Sequence, residues 1–553
     1  MEPPLHHDTM CGVLLDTLER HASSSALRAG DGSGAMSYAT YAEQIRRTAA
    51  GLAAVGVKRG DTVALMMRNR PEFHVVDAAV MFLGATPFSV YNTSPPAQIG
   101  YVMSDADNAI VVTEPAFVDV VAAAQSHGAK FDAVILIEPP AGGASASGAL
   151  LMDEVIARGD DSFDLREASA AATGDDLLTL IYTSGTTGPP KGVEITHLNM
   201  LAELRGVHGA VPQAQGGKSI SFLPSAHMAD RWASHYSSMM TYGFELTTIT
   251  EPAALIPTTM EVHPTYFGGV PRIWEKLKAA LESQAKGTDL KGAALADASV
   301  GAAIRERLGL DKAEWFVTGA APTTLDVLEF FDALGIRICE VWGMSETSCV
   351  ATTNRPNACR FGSVGQTIPG VELRLADDEE LLIKGETVMR GYRNMPEQTA
   401  EALDDDGWLH TGDIATVDDD GYWWIVDRKK ELIINAAGKN MSPANIEMHL
   451  KSAGPLIGQA CVIGDSRPYN VALLVLDPDN AAGLDPEDPQ VLADVNAEVE
   501  VANGQMARVE QIKRFKLLDQ EWLPGGEELT PTMKLKRKPI AARYAEEIEA
   551  LYS

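Results

Sequence analysis

Leu177-Leu178-Thr179-Leu180-Ile181-Tyr182 runs directly into Thr183-Ser184-Gly185-Thr186-Thr187-Gly188-Pro189-Pro190-Lys191-Gly192. The first six residues read as a buried strand, a short apolar run ahead of a turn. The residues after it are glycines, hydroxyls, prolines and a lysine. Glycine lets a backbone approach an anion closely, while hydroxyls and an ammonium donate to phosphate oxygens. A loop of this make-up after a strand points to nucleotide phosphates. It is not the loop of the common P-loop NTPases, which has Gly before its Lys and Ser or Thr after it. Those two positions hold Pro190 and Gly192.

Outward from this strand the chain alternates. Thr40-Tyr41-Ala42-Glu43 has the form of a capping box, and Ile45, Ala49, Leu52 and Ala53 follow at helical spacing up to Gly56. The pattern predicts strands over 61–67, 85–91, 110–113, 133–137, 315–318 and 336–341, and helices over 73–83 and 324–334. The Ala/Gly/Ser stretch 141–148 reads as a surface loop. Strand and helix in alternation imply βαβ units and a largely parallel sheet. After Asp427 the pattern restarts as a smaller α+β unit, with strands over 460–463 and 471–476. The expected fold is α/β: a large N-terminal domain of several subdomains over 1–429, with mixed parallel sheets flanked by helices, and a small α+β C-terminal domain over 430–553.

The length of 553 residues fits more than one domain. Asp and Glu outnumber Lys and Arg 76 to 45, a net charge of −31. That argues against nucleic acid as a partner, because phosphate contacts need basic surface. No window approaches the length of a spanning helix; the best, 74–90, is broken by Asp77, Gly84 and Pro87. Met1-Glu2-Pro3-Pro4 opens no secretory signal. Cys11, Cys339, Cys349, Cys359 and Cys461 are odd in number and have no zinc spacing, so free thiols and a reducing cytoplasm are expected.

Further segments carry chemistry. Gly319-Ala320-Ala321-Pro322 follows a predicted strand. Trp342-Gly343-Met344-Ser345-Glu346-Thr347 offers an indole face suited to a purine and a carboxylate suited to a hard cation. Trp408-Leu409-His410-Thr411-Gly412-Asp413 ends on a carboxylate able to accept from two hydroxyls. Asp427-Arg428-Lys429-Lys430-Glu431 is a charge cluster, Gly438-Lys439-Asn440-Met441-Ser442-Pro443 a loop, and Leu529-Thr530-Pro531-Thr532-Met533-Lys534-Leu535-Lys536-Arg537-Lys538 a basic block.

In this order, over about residues 38–551, these segments resemble the adenylate-forming superfamily of acyl-CoA synthetases, luciferases and peptide-synthetase adenylation domains. The resemblance implies ATP and Mg²⁺ as cofactors and CoA as cosubstrate. It implies that Thr183, Ser184, Gly185, Thr186, Thr187, Gly188 and Lys191 close over the ATP phosphates, and that Gly319, Ala320, Ala321, Trp342, Gly343, Met344 and Ser345 hold the nucleotide. It further implies that Glu346 holds Mg²⁺, that Asp413 and Arg428 meet the ribose, and that Lys430 is the hinge of a mobile C-terminal domain. Gly438 lines the pantetheine tunnel. The adenylation lysine falls on Lys534, with Lys536 and Lys538 as competitors. Lys534, Glu346, Thr183 and Lys191 are thus the expected catalytic set. Trp342 stands where relatives usually have Tyr, Ser345 where they have Thr, and Met533 where many have Gly.

Pro224-Ser225-Ala226-His227-Met228-Ala229-Asp230-Arg231 and Gly269-Val270-Pro271-Arg272-Ile273-Trp274-Glu275-Lys276 resemble blocks of the long-chain fatty acyl-CoA synthetases. The resemblance implies that His227 lies near the acyl site and that Arg231 and Trp274 flank it. The expected activity is fatty acid:CoA ligation through an acyl-adenylate. The alternatives are another acid (aryl, medium-chain or sterol) or transfer to a carrier protein. Expected partners are a fatty acid, ATP and CoA, in the cytoplasm or against the inner face of a membrane.

Overall fold

The computed structural model describes residues 2–140, 148–183, 189–434 and 440–553. The loop residues 184–188, most of the Ala/Gly/Ser stretch and Gly438 lie outside them.

The strand Leu177–Thr183 sits inside the largest sheet, which has eight strands among the described residues. On one side it pairs in parallel with Thr86–Ser89, followed by Thr62–Met66, Asn108–Thr113, Ala133–Leu136 and Leu150–Leu151. On the other side the chain turns back as Lys191–Thr196, antiparallel, with Gly391–Tyr392 on the edge. Both faces are covered by helices such as Tyr38–Ala54, Pro71–Phe82 and Pro96–Ala106, so its central strands are largely buried; Thr62–Met66 is buried at every position.

A second sheet runs Tyr266–Gly269, Trp315–Thr318 and Ile338–Trp342 in parallel, then adds two short antiparallel strands. A third joins Lys218–Ser221, Glu245–Thr248 and Ser25–Ala29 in parallel, with Met36–Ser37 antiparallel on the edge. A fourth is antiparallel, with Leu409–Val417 against Trp423–Arg428. Past Ile433 the chain builds its own cores around Ile457–Ile463, Asn470–Leu476 and Ile512–Leu518. The mixed α/β fold expected from sequence is what the chain forms. Among the described residues no helix is long and apolar enough to cross a membrane, and all five cysteines are free.

Two local readings change. The helix predicted to start at Thr40 starts at Tyr38, with Ser37 as its N-cap accepting from the Thr40 N–H. Tyr38 is buried and its hydroxyl donates to the Met239 and Phe244 carbonyls, which extends the helix toward its own N-terminus. The strand predicted over 336–341 spans Ile338–Trp342 and so includes the indole itself.

Candidate active site

The site lies where strand ends converge, the usual place for ligands in open α/β sheets. Thr183 closes its strand and pairs across the turn with Lys191. The Lys191 ammonium sits over the Tyr392 ring, 4.4 Å from its centre. The Tyr392 hydroxyl in turn donates to Glu346 Oε1 at 2.9 Å. Tyr392 thus joins the phosphate loop to the candidate metal carboxylate. Nothing local in the sequence marks it, because it reaches the site by pairing Gly391–Tyr392 onto the Lys191 strand.

Glu346 is buried in the single turn Ser345–Thr347 that follows Ile338–Trp342. Gly343 is obligatory there: a Cβ would stand 1.7 Å from the Cys349 carbonyl oxygen. Beside it, Ala320 holds a φ of +69°, left-handed backbone that an alanine adopts only under strain. Glu346 has one oxygen engaged by a neutral hydroxyl, which leaves lone pairs of the carboxyl group for a hard cation. The residue therefore fits Mg²⁺.

Trp342 donates its indole N–H to Asp413 Oδ2 at 2.8 Å, and Arg428 Nε meets Asp413 Oδ1 at 2.8 Å. Asp413 and Arg428 are register partners on the antiparallel strands, which explains why a spacing of fifteen residues brings them together. Asp413 is buried, and burial raises its carboxyl above the usual range despite Arg428, Trp342 and Lys534, which lower it.

Lys534 arrives from the other end of the chain. Thr530-Pro531-Thr532-Met533-Lys534 forms a tight turn: the Lys534 N–H donates to Thr530 Oγ1 at 3.0 Å, and Thr530 N–H donates back to the Lys534 carbonyl at 2.8 Å. Met533 has a φ of +65°, so this is a glycine-like position occupied by methionine, held by the threonine hydroxyls. Lys534 is exposed, with its ammonium within electrostatic reach of Arg428, Asp413, Glu346 and Glu431 at the junction of the two units. Desolvation there lowers its pKa, and Arg428 lowers it further, while Asp413, Glu346 and Glu431 act the other way. Lys536 is tied to the Gly526 carbonyl at 2.8 Å and Lys538 is exposed. Lys534 is exposed as well, and of the three candidates it is the one on which Arg428, Asp413, Glu346 and Glu431 act. Lys430, the expected hinge, is exposed beside Arg428.

His227 faces the same junction. Its pKa is lowered to about 4, chiefly by burial and then by the charge of Lys534. The Ala229 N–H donates to its Nδ1 at 3.1 Å, which leaves the proton of the neutral ring on Nε2. Arg231 and Trp274, expected to flank the acyl site, are both fully buried and engaged by scaffold residues. Arg231 is fully buried, paired with Asp77 Oδ2 at 2.5 Å and bonded to Ser89 and Tyr236. Trp274 is fully buried among Phe267, Phe316 and Phe331, its N–H on the Val317 carbonyl. Both anchor the elements that carry the site.

Residues 15–393 match the family described as AMP-binding enzyme, and residues 430–553 match the AMP-binding enzyme C-terminal domain. The chain is 46% identical over 447 residues to FadD11 of Mycobacterium tuberculosis, covering 73% of this chain and 78% of that one. It is 34% identical over 564 residues to the long-chain-fatty-acid–CoA ligase FadD15 of Mycobacterium bovis, covering 93% and 92%. Among solved structures, the A domain of a carboxylic acid reductase from Segniliparus rugosus, in complex with AMP and a co-purified carboxylic acid, superposes with a TM-score of 0.80. The identity there is 20%, over 98% of this chain and 94% of that one, a likeness of fold. By its sequence over both segments, the chain belongs to the AMP-binding enzyme family.

Proposed function

We propose that the chain is a long-chain fatty acid:CoA ligase of the AMP-forming type. The observation that carries this reading is the delivery of Lys534, from a unit with its own core, to a junction with Glu346, Asp413, Arg428 and His227. A carboxylate is a poor acyl donor because its leaving group would be oxide. The acid oxygen therefore bonds first to the α-phosphorus of ATP, and pyrophosphate leaves with the electrons of the broken P–O bond. Lys191 and Lys534 neutralise the charge that builds on the phosphates. Asp413 and Arg428 fix the ribose, so the two anions are held in position rather than merely attracted. Mg²⁺ at Glu346 supplies Lewis-acid stabilisation of the same oxygens when bound.

In the second half-reaction Lys534 withdraws, the small domain turning at Lys430. The CoA sulfur bonds to the acyl carbon, AMP leaves, and the thiol proton goes to solvent or the departing phosphate.

The relatives' names and the chemistry beside His227 support a hydrocarbon acid. Three residues past His227, Asp230 borders a small cavity lined also by Ile220, Phe222, Tyr266 and Phe267 and by the hydroxyls of Ser219 and Ser234, and burial raises Asp230 to about 7, which reduces the charge of the wall. A panel of acids with ATP, Mg²⁺ and CoA tests the reading. Long-chain acids are expected to give acyl-CoA and AMP in equal amounts, faster than aryl, medium-chain or sterol acids. Preference for one of those would replace the substrate, and acyl-AMP without acyl-CoA would favour a carrier-protein acceptor.

Asp413→Asn keeps the shape but removes the charge that strengthens hydrogen bonds to it. Its KM for ATP is expected to rise about tenfold, the loss of about one charge-assisted bond. Steady-state kinetics at saturating acid reads this, and an unchanged KM would remove the ribose role.

A further inference from the structure

The block Gly269-Val270-Pro271-Arg272-Ile273-Trp274-Glu275-Lys276 is only half explained by the buried Trp274. It opens the helix Pro271–Gln284, whose other face carries Arg272 and Lys276 one turn apart. Both reach across to the C-terminal unit. Arg272 NH2 pairs with Asp477 Oδ2, and Lys276 Nζ pairs with Asp479 Oδ2 at 2.5 Å.

The acceptor side is built in advance. Asp477 follows the strand Asn470–Leu476, and its carboxylate is almost fully buried. Its Oδ1 accepts from the Asp479 and Asn480 N–H groups at 3.1 and 3.0 Å, and from the Asn480 side chain. Its own N–H is held by the Leu456 carbonyl at 2.8 Å. One oxygen thus fixes the turn and the other is presented to Arg272. Asp479 sits in the same turn, and its carboxyl is lowered chiefly by its bond to Lys276. Elsewhere the C-terminal unit meets the larger one at Gly525, where a Cβ would stand 2.8 Å from the Thr93 carbonyl oxygen. The placement of Lys534 at the junction therefore coincides with two matched ion pairs and one close backbone contact.

We propose that Arg272 and Lys276 form a latch with Asp477 and Asp479 that holds the C-terminal unit in the adenylating position, and that the latch opens when Lys534 leaves. This rests on the two-step reading above and adds positioning residues to it. Its strength suits a reversible switch. Ion pairs with partial solvent exposure bias an equilibrium without locking it, and they weaken as salt rises. One member of each pair lies on each unit, so rotation breaks both at once.

Three measurements test it. In R272A/K276A, acid-dependent ATP–pyrophosphate exchange is expected to fall about fivefold, the population shift from losing two such pairs. Thioester formation from supplied acyl-adenylate and CoA is expected to hold or rise. The charge swap K276D/D479K, at the exposed pair whose carboxylate holds no turn, should recover part of the exchange lost in K276D. Equal loss of both half-reactions, or no change in either, would overturn the latch. A second test is independent of activity. In K276C/D479C a short bis-maleimide is expected to join the two units, more slowly when R272A is added; an unchanged rate would also overturn it. If the unsubstituted protein exchanges pyrophosphate with no acid, the reading of the site fails while the cross-linking rate still decides the latch.

Discussion

Lys534→Ala is expected to slow acid-dependent pyrophosphate release by about 10²–10³-fold, the usual effect of deleting one donor aimed at developing charge. Thioester formation from supplied acyl-adenylate should be retained, because the ammonium is not needed once pyrophosphate has left. The turn should survive the change, since its hydrogen bonds use the Lys534 backbone and the Thr530 side chain. Lys538→Ala, at an exposed position outside that junction, should leave both half-reactions as they are. The pH profile adds a second reading. Desolvation at the junction, with Arg428 nearby, lowers the Lys534 pKa. The ammonium is present below that value and lost as pH rises through it, so the alkaline loss of adenylation begins below the ordinary lysine range. Loss of both half-reactions together in Lys534→Ala would move the assignment elsewhere.

Asp77→Ala is expected to cost about 3–5 kcal/mol of stability, because it strands a fully buried guanidinium. Asp77, Arg231 and His235 have no exposed side-chain surface. The bonds form one ordered chain. His74 Nδ1 lies 2.9 Å from His235 Nδ1, and His235 Nε2 lies 3.0 Å from Asp77 Oδ1. With both rings neutral, His235 carries its proton on Nε2 and donates to Asp77, and His74 donates from Nδ1. The cluster pins the helical segment Arg231–Thr241, four residues past His227, to the helix Pro71–Phe82. Urea unfolding midpoints measure the loss. D77L/R231M should recover much of it, since an apolar pair of similar bulk removes the stranded charge. Burial lowers both histidine pKa values, so the unfolded chain binds protons that the folded chain refuses. Stability therefore falls as pH drops through about 6.5, the ordinary histidine value. Asp77 contributes a second loss at lower pH. Its burial is outweighed by Arg231 and His235, so its folded pKa is depressed, and its stabilisation disappears as the pH falls from the ordinary aspartate range through that value. A midpoint indifferent to Asp77→Ala would contradict the ledger of this cluster.

The two predictions separate what local sequence can carry from what it cannot. The strand into the phosphate loop, the strand Trp315–Thr318 and the helix capped by Thr324 were legible because each is written in consecutive residues. Asp413 and Arg428 were legible as an ordered pair of motifs, and strand register supplies the reason they meet. The packing of Arg231 and Trp274 was not legible, because a charged or aromatic residue beside a site looks the same in sequence whether it faces the ligand or holds the scaffold. Only the partner decides, and Asp77 lies 154 positions away. Tyr392 was missed for the same reason: it enters by edge pairing, far from Glu346 in the chain. Ser37 displaced Thr40 as a cap because burial of Tyr38 outweighed the local capping pattern.

The bond from Trp342 to Asp413 separates how firmly a nucleotide is held from which nucleotide is chosen. An indole has one polar hydrogen, and this one is committed to a carboxylate. On the proposed reading, the ring presses against a base with its face alone, and purines that differ at their edge look alike to a face. Discrimination between ATP and GTP then falls to groups that can meet an edge, and the main chain at Gly319-Ala320-Ala321 is the nearest candidate by family position. That would give the strained backbone of Ala320 a purpose: it sets the direction in which the neighbouring peptide groups point.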